Sequence, residues 1–357
     1  MAGLSNLAAR AAAALQTHWW RARPTPTAQA LRPLSWLYSW LAALHRARAA
    51  EPSAPEPVII VGNLVLGGAG KTPTVIALVQ ALQAAGRSPG VLSRGYGRQG
   101  NVVIEVRQGL DAAAVGDEPL LIHRRTGVPV WVGSDRVAAA RALCAAHPGV
   151  DVLVSDDGLQ HLPLARLAEL VVFDDRGAGN GLVLPAGPLR QPLPARLRPG
   201  AFVLYTGTGA STPLPGALAV RALGRAWPLA AWWQGEGSAA RPIDELRGRT
   251  VLAAAGLAAP EKFFAMLEAA GLTLQRLPLP DHASFDTLPW PAGGAQDVLV
   301  TEKDAVKLQP GRPGTERVWV VPLDFALPAE LLRALIARLP DRVPDRVPAL
   351  MPRPPTA

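Results

Sequence analysis

Val58-Ile59-Ile60-Val61-Gly62-Asn63-Leu64-Val65-Leu66-Gly67-Gly68-Ala69-Gly70-Lys71-Thr72-Pro73 begins as an unbroken apolar run and passes into a glycine-rich loop. In the following stretch, 72–85, Val75, Ile76, Val79 and Leu82 recur at helical spacing until Gly86 stops the pattern. Strand, loop and helix in that order make a phosphate cradle, because glycines let backbone N–H groups approach an anion and the helix N-terminus presents its positive dipole end. Gly67, Gly68, Ala69, Gly70, Lys71 and Thr72 are therefore the candidate nucleotide-binding residues. Lys71 is placed to reach the β- and γ-phosphates of ATP and Thr72 to ligate Mg2+. Pro73 suits the first helical turn, where a missing N–H costs nothing. The generic phosphate-loop pattern has a glycine five positions before Gly70, where this chain has Val65.

Outward from this stretch, apolar segments at 90–93, 102–106, 128–132, 152–155 and 170–173 read as strands, with a helix opening at Ser134. Strands alternating with helices imply an α/β fold, a P-loop NTPase-like parallel sheet flanked by helices. A second series at 202–205, 217–222, 251–255, 272–277, 298–300 and 318–321, with helices at 260–270 and 328–339, predicts a smaller C-terminal α/β domain that contributes to the active-site cleft. The expected organisation is a basic segment at 1–50, the P-loop domain at 51–196, the second domain at 197–339 and a disordered Pro-rich tail at 340–357.

The chain has 357 residues, 49% of them hydrophobic and 18% charged, with mean hydropathy +0.16, which excludes a disordered protein. No apolar run reaches the roughly 20 residues of a spanning helix. Cys144 stands alone, so an internal disulfide is excluded and a reducing compartment fits. The net charge of +8 would suit nucleic acid, but its distribution does not. Residues 1–50 hold Arg10, Arg21, Arg23, Arg32, Arg46 and Arg48 and no acidic residue, so the body is nearly neutral and no nucleic-acid partner is expected. The same segment holds Trp19, Trp20, Trp36, Trp40 and Tyr38, a mixture suited to lipid headgroups. The run 33–44 is too short for a spanning helix, and no small-residue cleavage site follows it, so it is not a secretory signal. Two readings stay open: a helix lying in a membrane surface, or a brace packed on the body.

An apolar strand ending in two carboxylates, Asp151-Val152-Leu153-Val154-Ser155-Asp156-Asp157-Gly158, has the form of a metal-binding second motif, with Asp156 and Asp157 as candidate ligands beside Thr72. Adjacent carboxylates capping a turn are the alternative. The next residues, Gln160 and His161, are candidates for orienting a phosphate or sugar, and Arg136 and Arg176 for binding anionic groups.

Taken with Pro33-Leu34-Ser35-Trp36-Leu37-Tyr38, Ser93-Arg94-Gly95-Tyr96-Gly97, Val115-Gly116-Asp117-Glu118-Pro119, Leu184-Pro185-Ala186-Gly187-Pro188-Leu189-Arg190 and Thr301-Glu302-Lys303-Asp304-Ala305, these motifs resemble the tetraacyldisaccharide 4'-kinase (lipid A 4'-kinase) family over residues 32–339. The resemblance implies ATP and Mg2+ as cofactors. It implies transfer of the γ-phosphate to the 4'-hydroxyl of an acylated glucosamine disaccharide 1-phosphate, in lipid A biosynthesis at the cytoplasmic face of a Gram-negative inner membrane. It also places Asp117 with His282 in a catalytic dyad alongside Lys71, and makes Arg94 and Tyr96 substrate contacts. Members often have a second histidine after the first; here that position is Ala283. The rival is a MinD/ParA-like membrane-associated ATPase switch, whose loop carries a signature lysine where this chain has Leu66.

Overall fold

Every residue of Val58–Gly62 (β1) is buried, as a strand covered on both faces must be. In the computed structural model, which describes residues 15–48, 51–98, 100–107 and 109–341, β1 lies inside an eight-stranded sheet. Its other strands are β2 (Pro89–Ser93), β3 (Ile104–Glu105), β4 (Val130–Val132), β5 (Val152–Asp156), β6 (Ala168–Phe173), β7 (Ala201–Tyr205) and β8 (Ala217–Leu218). The order is β3-β4-β2-β5-β1-β6-β7-β8, and only the edge strand β3 runs antiparallel to its neighbour. Parallel register brings the carboxyl ends of β1, β5 and β2 to one rim, so that Gly62, Asp156 and Ser93 all end there. Ligands of open α/β sheets bind outside that rim.

The helix Lys71–Ala84 follows the glycine loop and buries Val75, Ile76, Leu78, Val79 and Leu82. It is covered on its far side by the second unit, a five-stranded sheet of order β10-β14-β13-β11-β12 and a two-stranded ribbon of β9 and β15. These strands are β9 (Val220–Leu223), β10 (Trp227–Pro228), β11 (Thr250–Ala255), β12 (Thr273–Pro278), β13 (Val298–Thr301), β14 (Val318–Val321) and β15 (Leu323–Ala326).

The expected boundary between 196 and 197 falls inside the first sheet. Strand β7 registers on β6 (Phe173 opposite Tyr205) and β8 on β7 (Tyr205 opposite Leu218), so the chain leaves that sheet only after Leu218. The single strand expected at 217–222 is divided at Ala219 between the sheet and the ribbon. An apolar run specifies a strand locally, but the edge it joins depends on partners distant in sequence. The expected strand at 102–106 is reduced to the two residues of β3. Most of the expected tail, from 342 onward, and Arg10 lie outside the described residues.

Candidate active site

Gly67 and Gly70 adopt φ of 90° and 84°, backbone that a side chain would strain. A Cβ on Gly70 would also approach the Thr206 hydroxyl to 3.2 Å. The loop is held from three sides. Asn63 Nδ2 donates to the Gly67 carbonyl at 2.9 Å and Thr206 Oγ1 to the Ala69 carbonyl at 2.9 Å. Val65, the departure from the generic pattern, is fully buried and bridges Leu189. Beside it the Leu66 N–H donates to the Pro188 carbonyl at 2.9 Å and the Arg190 N–H to the Leu64 carbonyl at 2.7 Å. The segment 182–190 thus supports the loop where a glycine usually would stand.

Asp156 is 1% exposed, and its Oδ2 accepts only a long hydrogen bond from Ser93 Oγ at 3.4 Å. Among the described residues its Oδ1 has no hydrogen-bond partner. Burial, reinforced by the charge of Glu118 and opposed by Lys71, pushes its pKa up to about 7. Asp157 takes φ of 50° and turns towards cations, with Arg190 Nη1 at 3.3 Å and Lys71 Nζ at 3.9 Å. Arg136 is buried, and among the described residues its Nε has no hydrogen-bond partner; burial, with the nearby charge of Arg94, lowers its pKa against the pull of Asp156 and Asp157.

Asp117 opens the helix Asp117–Thr126, and its Oδ1 accepts from the Glu118 N–H at 2.9 Å. Its Oδ2 lies 2.9 Å from His282 Nδ1, a residue of the second unit. Burial would raise the Asp117 pKa, but the His282 hydrogen bond and the charges of Lys303, His282 and Lys307 outweigh it and hold the carboxyl below its ordinary value. The same hydrogen bond raises the His282 pKa against burial and the charge of Lys303. The Tyr96 ring lies 5.3 Å from that of His282. Between this pair and the glycine loop runs a cleft of about 190 Å³, lined by Gly68–Pro73, Glu118 and Lys303 and apolar where Leu257, Phe263, Met266 and Phe325 meet.

The sequence model of the tetraacyldisaccharide-1-P 4'-kinase family matches residues 27–340. The chain belongs to that family. The tetraacyldisaccharide 4'-kinase of Methylibium petroleiphilum is 55% identical over 324 residues, covering 88% of this chain and 90% of the relative. That of Leptothrix cholodnii is 57% identical over 294 residues, covering 80% and 84%. A solved structure of LpxK from Aquifex aeolicus, described as its "apo" form in complex with ATP, superposes with a TM-score of 0.73 at 27% identity over 88% of this chain and 99% of that one. As a tetraacyldisaccharide 4'-kinase family member the chain is a kinase, and the switch-ATPase alternative is set aside.

In this kinase the remaining residues expected at the site divide into three groups. Arg94 and Tyr96 are exposed at the rim, beside Arg136 and His282 respectively. Gln160 Oε1 accepts from Arg190 Nη1 at 3.0 Å, and His161 has a buried Nε2 without a hydrogen-bond partner among the described residues, its pKa lowered by burial and by Arg136. Arg176, expected to bind substrate, is instead committed to the loop: it donates to the Gly68 carbonyl at 2.5 Å, pairs with Asp174 at 2.9 Å and lies over the Trp20 ring at 4.3 Å. Two residues with no expected role join the site, Arg190 and Lys303. Both stand in motifs that carried the family resemblance, which was the available signal.

The two faces of the basic segment bear differently on the readings left open by the sequence. Trp19 is buried and donates to the Pro185 carbonyl at 2.9 Å, so with Trp20 it braces the body. The helix Arg32–Ala47 turns Ser35 inward, donating to the Val183 carbonyl at 2.8 Å, and leaves Leu34, Trp36, Leu37, Trp40 and Leu41 exposed. Among the described residues no helix is long and apolar enough to cross a membrane.

Proposed function

We propose that this kinase transfers the γ-phosphate of ATP to the 4'-hydroxyl of a tetraacylated glucosamine disaccharide 1-phosphate, with Asp117 as the base. The observation that carries the reading is the Asp117–His282 hydrogen bond of 2.9 Å beside a cleft that the glycine loop lines. The acceptor oxygen attacks the γ-phosphorus, its proton passes to Asp117, and the bond to the β–γ bridging oxygen breaks to release ADP. Lys71 neutralises charge on the phosphates. Mg2+ fits the donor set: Thr72 and the unpartnered Asp156 Oδ1 would hold it, and the ion supplies further charge neutralisation. No cluster of three or more protein ligands exists among the described residues, as suits an ion bound largely through phosphates.

Docking on an anionic membrane, here the cytoplasmic face of the inner membrane, is supported by the exposed Trp36 and Trp40 and by the exposed Arg21, Arg23, Arg46 and Arg48 of the same basic segment. Each arginine near such a surface is worth about 1 kcal/mol. Arg94, Tyr96, Arg136 and Arg190 are the candidates for holding the phosphorylated sugar.

Thin-layer separation of lipid after incubation with γ-labelled ATP tests the reading directly, and labelled disaccharide lipid is the expected product. Lys71→Ala should lower transfer by at least about 10²-fold with an unchanged Tm, because it removes a phosphate contact and no core volume. Near-normal turnover in that variant would sink the phosphate-loop assignment.

A further inference from the structure

The short helix Glu302–Ala305 directs one side chain at the Asp117–His282 pair. Its neighbours pin it in place: Glu302 is buried and paired with Arg125 at 2.6 Å, and the fully buried Asp304 accepts from the Gly256 N–H at 3.0 Å. Lys303 between them places its Nζ 3.4 Å from His282 Nε2, 3.2 Å from Asp281 Oδ1 and 3.3 Å from Glu118 Oε1. An ammonium has three N–H donors and no lone pair, so an imidazole nitrogen facing it can only accept. The proton of the neutral ring then belongs on Nδ1, facing an ionised carboxylate that also can only accept. Both neighbours of the ring require the same tautomer.

We propose that Lys303 is a positioning residue for phosphoryl transfer: by donating to His282 Nε2 it disfavours a proton there and keeps the Nδ1 proton of the ring aimed at Asp117. The assignment rests on the reading of Asp117 and His282 as the proton-handling pair. The charged groups about the ring are Asp117 and Glu118 from one helix, Asp281 beside it, and Lys303 and Lys307 from the other unit, with Tyr96 against its face. Without Lys303 the ring faces three carboxylates with one fewer counter-charge. Protonation is then favoured, and the neutral ring is reached only at higher pH.

The test uses the full chain. In 15N-histidine NMR of the wild-type enzyme, assigned with His282→Asn, the neutral His282 ring should carry its proton on Nδ1. Lys303→Met should lower kcat at pH 7 on the order of tenfold or more and move the acid limb of its pH profile up by about one unit. Lys303→Arg, which keeps a cation, should return the limb towards its wild-type place. In a His282→Ala background Lys303→Met should add little further loss. An Nε2–H tautomer in the wild type, a lowered kcat with an unmoved limb, or an undiminished loss without His282 would each overturn the proposal. If Lys303→Met does not fold, the wild-type tautomer decides. Failure of the underlying reading looks different: wild-type enzyme without transfer, or His282→Ala with full kcat.

Discussion

Asp117 and His282 are separated by 165 positions in the chain and by 2.9 Å in space, a buried carboxylate beside an imidazole at a phosphate cleft. As a unit in proton transfer, each should lower kcat by roughly 10²- to 10⁴-fold when replaced by alanine, while sparing ATP affinity. The double variant should cost far less than the product of the single losses, since the joint function is lost with either member. Multiplicative losses in a double-mutant cycle would show independent roles. Asp156 offers a pH test. Its folded-state pKa of about 7 stands above the ordinary 3.8, so between those values the native state binds the additional proton and stability falls as pH rises. In EDTA and without nucleotide, Asp156→Asn should therefore raise Tm over the wild type more at pH 8 than at pH 5, while abolishing transfer. A pH-independent difference in melting would contradict the buried-charge account.

The helix Arg32–Ala47 divides its labour by face. Ser35 bonds to the Val183 carbonyl and accepts from the Ala186 N–H at 3.1 Å, and the Tyr38 hydroxyl donates to the Arg190 carbonyl at 3.2 Å. The helix is thereby tied to the segment that supports the glycine loop and carries Arg190. Its outer face leaves Trp36 64% and Trp40 58% exposed among the described residues, an apolar surface of the kind that marks an interaction site. Deleting residues 1–50 would remove the brace together with the exposed apolar face, because Trp19 and Ser35 hold the body. The sharper variant is Trp36→Ser with Trp40→Ser. It should weaken sedimentation with anionic vesicles on the order of tenfold per tryptophan, leave Tm unchanged, and raise the KM for lipid more than that for ATP. Unaltered vesicle binding would place the attachment elsewhere.

At the scale of the molecule, the candidate site is shared between two units, since Asp117 comes from one and His282 and Lys303 from the other. The clasp is at the far end of the Asp117 helix. Arg124 lies over the Trp232 and Trp233 rings at 4.7 and 4.2 Å, and Arg125 pairs with Glu302 at 2.6 Å and Asp324 at 2.5 Å. Arg125→Met leaves Glu302 buried without its cation and should destabilise the protein by about 3–5 kcal/mol in denaturant titrations. Burial already raises the Glu302 pKa, and losing Arg125 raises it further, so its protonation relieves the penalty and the deficit should be smaller at pH 5 than at pH 8. An equal deficit at both values would show that Glu302 does not carry the cost. Transfer should fall with the clasp even though Arg125 does not line the cleft.

The phosphate loop, the helix after it, the buried strands around it and the carboxylates at the end of β5 were all legible in the chain, because each is written in neighbouring residues by apolar periodicity, glycine and charge. Ordered motifs along the sequence also sufficed for the family. Contacts between distant residues decided the rest. Strands β7 and β8 joined the first sheet because β6 offered an edge, which no local pattern states. Four tryptophans in one basic segment look alike in sequence, yet Trp19 and Trp20 pack inward while Trp36 and Trp40 face solvent. Arg176 has the chemistry of a substrate contact and is used as a brace, whereas Arg190 and Lys303 gained their places at the site from what folded beside them. The pKa of Asp156 likewise belongs to its burial and its neighbours, and those exist only once the sheet has closed around it.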